Sequence, residues 1–159
     1  MSMVQCFVDV LPLRLREYAE ALSVYIDKLA SEVSTVHADM PRLRSIASKF
    51  EQAAGVVDDV AASLDNLAVP SEKELAQVND RLAFLERRFL LDRPLPDRDE
   101  MYYRHAVYAP GLYTGYGASV LPGIRYAFTT NNTSLQSEQI QILYERIQDA
   151  IGFLCLPQS

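Results

Sequence analysis

Apolar residues recur along the first third of the chain in steps of three and four. Leu15, Tyr18, Leu22, Ile26, Leu29 and Val33 fall on one side of a helix with about 3.6 residues per turn, so the spacing predicts a first helix over 15–33. Pro12 lies just ahead of it, where a missing N–H costs nothing. Pro41 disfavours helical geometry at Met40 and separates this helix from the next. A second stripe, Leu43, Ile46, Ala47, Phe50, Ala54, Val57, Ala61 and Leu64, predicts a helix over 41–67 that ends at Val69-Pro70. Its alanines permit close approach of a neighbouring helix. Gly55 costs a helix ~1 kcal/mol relative to alanine, and is expected to mark a bend or a tight crossing.

A third helix has the clearest start signal. Ser71 and Glu74 have the spacing of a capping box, in which each side chain satisfies an orphan N–H of the first turn. Leu75, Val78, Leu82, Leu85 and Phe89 follow on one stripe, while Phe84, Leu90 and Leu91 lie off it. A second apolar face must bury against something, either the loop that follows or another subunit. Residues 92–122 break the pattern: four prolines, three glycines and five tyrosines crowd into them, with Gly123 directly after. A link between helices is ordinarily about 2–8 residues, and disordered linkers are poor in aromatics, so this segment is expected to be a long ordered loop. A short helix is expected after Pro122-Gly123, ending before Asn131. A last helix over 134–156 turns Ile140, Leu143, Ile147, Ala150, Ile151 and Leu154 inward. The prediction is an all-α domain spanning 1–159: an antiparallel four-helix bundle, with the loop 92–122 inserted between helices three and four.

Composition narrows the function. Hydrophobic residues are 49% and charged residues 23%, with a net charge of −6. That is ordinary for a globular protein and argues against a nucleic-acid groove, which needs clustered Lys and Arg. Basic residues are interleaved with acidic ones, as in Glu86-Arg87-Arg88, the pattern of a solvated helix face. No apolar run reaches the roughly 18 residues of a membrane span. Cys6 and Cys155 sit at opposite ends. They read as two partly buried free thiols, with a bridge only if both ends meet. They are too few for a structural zinc site, and His37 and His105 stand at no ligand-like spacing. His105 reads as a hydrogen-bonded structural residue. Asp58-Asp59 and Asp97-Arg98-Asp99-Glu100 lack the alternation around a glycine of a calcium loop and read as solvated acidic surface. No catalytic or metal-binding constellation is predicted. Asn131-Asn132-Thr133-Ser134 holds two overlapping glycosylation sequons, and equally suits a polar turn capping the last helix.

The string Asn79-Asp80-Arg81-Leu82-Ala83-Phe84-Leu85-Glu86-Arg87 resembles a known family. The likeness continues through Leu95-Pro96-Asp97-Arg98, Tyr103-Arg104-His105-Ala106-Val107-Tyr108-Ala109-Pro110, Tyr116 and Pro122-Gly123-Ile124. Upstream it takes in Leu11-Pro12, Tyr18-Ala19 and Ile46-Ala47-Ser48-Lys49-Phe50. In order and spacing these look like the C-terminal helical domain of the glutamate carboxypeptidase II and transferrin receptor family, over nearly the whole chain.

The resemblance implies a homodimerisation domain of a larger protein. That protein would be zinc exopeptidase-like or receptor-like, anchored by one N-terminal membrane helix, with this domain extracellular, luminal or vacuolar. The sequons would then be usable and the protein a glycoprotein. Zinc and the catalytic carboxylate would belong to an upstream peptidase domain, which is not in this sequence, and the isolated chain would be no enzyme. In glutamate carboxypeptidase II a Lys-Tyr pair in the long loop holds the substrate's carboxylates. Gly115 and Tyr116 take those positions here, so the tyrosine is kept and the lysine lost. Losing that ammonium forfeits a contact of ~1.5–3 kcal/mol, which puts a preference for C-terminal glutamate in doubt. Expected contacts with a second copy are Phe84, Leu91, Ile142, Tyr144 and Phe153. Two other readings remain: a contributor to the parent's substrate-specificity pocket through Tyr116, and a free-standing helical scaffold that docks another protein.

Overall fold

The computed structural model describes residues 9–33, 37–67, 70–96, 98, 103–110 and 118–155. The chain is predominantly helical, as its apolar stripes predict. Helices α1 (Leu15–Glu32) and α2 (Met40–Asp65) form an antiparallel pair. Arg16 near the start of α1 meets Asp59 near the end of α2 at 3.5 Å, and Arg44 meets Asp27 at 2.7 Å. All eight residues of the predicted α2 stripe are buried. On α1 the alanines Ala19 and Ala30 join the core, while Tyr18 and Val33 are only partly buried. Gly55 gives room to Arg16, whose guanidinium occupies the space a Cβ would fill.

Asp58 corrects an expectation. It is no idle surface acid: its carboxylate accepts from the backbone N–H of Leu15 at 3.0 Å and of Arg16 at 2.9 Å. Arg14, at the N-cap position of α1, supplies no side-chain cap. Two of the orphan donors of α1 are therefore satisfied from α2, and the carboxylate faces the positive end of the helix dipole.

Helix α3 (Glu72–Phe84) tightens into a 3-10 turn over Leu85–Phe89. Ser71 holds the N-cap position, but its side chain makes no capping bond, so the capping box exists only as spacing. The predicted stripe from Leu75 to Phe89 is buried throughout. Within the expected loop, the chain after the 3-10 turn doubles back on itself. Leu91 N–H donates to the Arg104 carbonyl at 2.7 Å, Ala106 N–H to Phe89 at 2.9 Å, and Leu95 N–H to Tyr103 at 2.8 Å. Strands β1 (Tyr108–Pro110) and β2 (Ala118–Val120) then pair antiparallel, a hairpin that the apolar periodicity does not reveal. Leu121 turns the chain from β2 into the next helix in a left-handed conformation, φ 50°, which costs a leucine roughly 1–2 kcal/mol. Its burial and its N–H bond to the Val107 carbonyl at 2.8 Å hold it there.

Helix α4 (Pro122–Thr129) is the expected short helix, and α5 (Thr133–Leu154) is the last long one. Gly123 lies so close to α5 that an added Cβ would collide with Gln139 Oε1. Helix α5 runs alongside α2 in the same direction: His37 meets Ser137 at 3.1 Å, and Arg42 meets Gln141 at 3.0 Å. It runs against the segment that begins at the end of α3: Arg81 reaches the Cys155 carbonyl at 3.0 Å, while Leu91 and Pro96 lie beside Ile142 and Leu135. Helix α2 packs mainly on α1 and α5, and less extensively on α3. On α5, Ile151 is half-buried rather than core. Cys155 is a free thiol and exposed rather than partly buried; Cys6 lies outside the described residues.

Candidate association surface

The residues carrying the family resemblance prove to be those that staple the domain together. Asn79 is buried on α3 and clamps the incoming extended segment. Its Oδ1 accepts from Leu11 N–H at 2.9 Å, and its Nδ2 donates to the Asp9 carbonyl at 3.0 Å. Arg81 ties α3 to the carbonyl end of α5, where the backbone oxygens are orphaned. His105 anchors the segment that doubles back. Its Nδ1 accepts from the N–H groups of Val107 and Tyr108, both at 3.2 Å, and its ring donates to the Glu86 backbone. Ring contacts tie it to Phe89 and Tyr108, and these to Tyr18, Tyr25 and Phe50. Burial, partly opposed by Glu86, holds His105 below the ordinary imidazole value and hence neutral. Burial followed by the Glu86 charge pushes the Tyr18 hydroxyl well above the tyrosine range. Burial and the bond to Tyr25 do the same for Tyr108. A neutral histidine whose Nδ1 lone pair is already spent on two backbone donors is a structural residue, as its loop setting predicts.

The five predicted contact residues do not form one patch. Leu135, Ile142 and Phe153 share one flank of α5, because steps of seven and eleven bring a helix back to the same side. Ile142 and Leu91 line a common groove of about 450 Å³ between α5 and the segment after the 3-10 turn. Pro94, Pro96 and Leu135 add apolar wall; Asp92, Arg93, Glu138, Glu145 and Arg146 supply charge of both signs. Phe153 lies further along the same flank under Arg88, whose guanidinium is 4.1 Å from the ring centre, with Arg81 at 5.9 Å. Phe84 remains 38% exposed beside Arg87. Tyr144 stands on the opposite flank, covered by Arg42 at 3.8 Å. Leu135 and the charged rim were not singled out from sequence, although Leu135 sits one heptad before Ile142.

Gly115 and Tyr116, the substrate-pocket positions by resemblance, lie outside the described residues, as do Asp97, Asp99 and Glu100. Arg98 donates to the Pro110 carbonyl at 2.8 Å and so braces the hairpin. Asn132 caps α5, its Oδ1 accepting from Leu135 N–H at 3.0 Å; Asn131 is exposed in the turn before it. Among the described residues, no group of three His, Cys, Asp or Glu side chains is placed to hold a metal ion. No helix among them is long and apolar enough to cross a membrane.

The chain is a predominantly helical domain with a half-open groove beside α5, lined by apolar and charged side chains together. Residues 38–154 match the transferrin receptor-like dimerisation domain, and the chain belongs to that family. It is 26% identical to a probable glutamate carboxypeptidase of Arthroderma benhamiae, across 92% of this chain and 20% of that protein. It is 28% identical to aminopeptidase NAALADL1 of Rattus norvegicus, across 74% of this chain and 16% of that one. A probable glutamate carboxypeptidase of Arabidopsis thaliana is 27% identical, across 90% of this chain and 20% of its own length. The chain spans about a fifth of the length of these relatives.

Proposed function

We propose that this chain is the homodimerisation domain of a larger, membrane-anchored protein built like a zinc exopeptidase or a receptor, with no catalytic centre of its own. In this reading its four long helices act as one bundle. The domain faces the exterior, a lumen or a vacuole, and zinc belongs to a peptidase domain of the parent. The observation that carries the reading is the family match across 38–154; the peptidase relatives support a parent of that kind. The contact with a second copy is the α5 flank of Ile142 and Phe153 together with Leu91 across the groove, with Phe84 at its edge. A two-fold interface brings the same patch against itself, and the groove fits that requirement. Its apolar floor can bury against its copy, while Arg93 and Arg146 can face Asp92, Glu138 or Glu145 of the other subunit. Tyr144 then serves the fold under Arg42 rather than the contact.

Sedimentation of the chain over a range of concentrations tests this. We expect a dimer, lost in Ile142→Glu with the helical circular dichroism retained. A strict monomer at high concentration, or a variant that dimerises undiminished, refutes the reading. A second role rests on the hairpin. Pairing of Pro110 with Ala118 fixes where residues 111–117 leave and rejoin the domain, which suits delivery of Tyr116 to the parent's substrate pocket, with Gly115 in place of a charged partner.

A further inference from the structure

We propose that Asn131 carries an N-linked glycan, that Asn132 does not, and that the sugar keeps the adjoining cleft in solvent. The two sequons overlap, and neighbouring residues do not both accommodate so bulky a group. The structure separates them. Asn132 is committed: its amide is laid against the first turn of α5, with Oδ1 bonded to Leu135 N–H. A sugar on that amide would sit at the cap itself. Asn131 is uncommitted. It closes the turn after α4 with φ 51°, a left-handed conformation in which asparagine is enriched. Its backbone N–H is bonded to the Phe128 carbonyl at 3.0 Å. Its exposed side chain has no hydrogen bond among the described residues. A hydrophilic substituent on Asn131 Nδ2 therefore displaces nothing.

The position gives the glycan a consequence. Asn131 lies at the lip of a half-open cleft of about 640 Å³ that also takes in Glu32, His37, Arg125 and Thr133. A sugar there bars another protein from this end of the domain and leaves the Leu91–Ile142 groove to the second copy.

The donor is a lipid-linked oligosaccharyl pyrophosphate. The new bond joins Asn131 Nδ2 to the sugar C1, and the C1–O bond to the pyrophosphate breaks. The lipid pyrophosphate leaves with the electron pair, and the amide proton passes to a base of the transferase. The assignment rests on the proposed luminal or exterior placement, so the test has two arms. One expresses the native gene in its own host; the other routes the chain through a eukaryotic secretory pathway with an appended signal sequence. Enzymatic release of the glycan converts its asparagine to aspartate, which peptide mass spectrometry locates. We expect conversion at Asn131 in both arms, lost in Asn131→Gln and Thr133→Ala and retained in Ser134→Ala, which removes only the Asn132 sequon. Conversion at Asn132, or a glycan surviving Thr133→Ala, overturns the proposal. So does a native protein without glycan. The routed arm then says what failed: a glycan on the routed chain alone indicts the compartment, and a glycan on neither indicts the site.

Discussion

Replacing His105 by leucine removes the acceptor shared by Val107 N–H and Tyr108 N–H while keeping an apolar side chain between Phe89 and Tyr108. Val107 is fully buried, so its N–H cannot turn to water. Two donors sharing one lone pair at 3.2 Å make bonds at the weak end, about 1 kcal/mol each, and the loss is about 2 kcal/mol. For a chain of this size that lowers the thermal midpoint by roughly 4–8 °C. His105→Asn returns an acceptor oxygen where Nδ1 stood and is expected to recover about half. The linked effect is pH dependence. Burial lowers the folded-state value of His105 below the ordinary 6.5. Above pH 6.5 both states hold it neutral, and its contribution is fully present. As pH falls below that, the unfolded chain binds a proton that the folded chain refuses, and stability declines until the folded-state value is passed. Circular dichroism melts of the wild type, His105→Leu and His105→Asn between pH 7.5 and 5 measure both effects. Wild type should lose a component of stability on acidification that both variants lack. Parallel pH profiles, or a leucine variant as stable as wild type, would refute the account of His105 as a neutral staple.

Other substitutions probe the remaining staples. Asp58→Ala should cost about 1–2 kcal/mol, as loss of a charged N-cap does, with hydrogen exchange quickening first at Leu15 and Arg16. Asn79→Ala should release the segment Asp9–Leu11 and cost about 1–3 kcal/mol, seen as early proteolysis before α1 and a lowered urea midpoint. The two crowded glycines should answer oppositely to alanine. At Gly123 the added methyl meets Gln139, which is buried on α5, so a loss of about 1–3 kcal/mol is expected, partly restored by shortening Gln139. At Gly55 it meets only the far end of Arg16, which can swing aside. Up to about 1 kcal/mol of helix propensity should leave that variant at least as stable as wild type in a thermal melt.

Much of the candidate site could be read in the chain, though not its shape. Phe84, Leu91, Ile142 and Phe153 stand off the main stripes, and residues off the stripe are the ones left to cover something else. Periodicity gives a residue's angle on its own helix, not which neighbour lies there. Hence Tyr144 and Ile142 looked alike from sequence, until Arg42 of α2 proved to cover one and the groove beside Leu91 to hold the other. The charged rim was invisible for the same reason: Arg93 and Glu138 are far apart in the chain and share a wall only once α5 packs on the 3-10 turn.

The sequence by itself determined the helices, their boundaries to within a few residues and their inward faces, because backbone periodicity and proline chemistry act within one turn or two. It also carried the family in strings such as Asn79–Arg87 and Tyr103–Pro110. Only the tertiary structure decided why those strings matter. Asn79 holds a strand of chain 68 residues away, Asp58 caps a helix 43 residues before it, and the His105 ring, which accepts from N–H groups two and three residues on, packs against Phe89 from the segment before the chain doubles back. Asn79 is buried, Asp58 and His105 are half-buried, and packing decides which groups each of them meets. Burial is a property of the assembled helices, so no local pattern along the chain announces it.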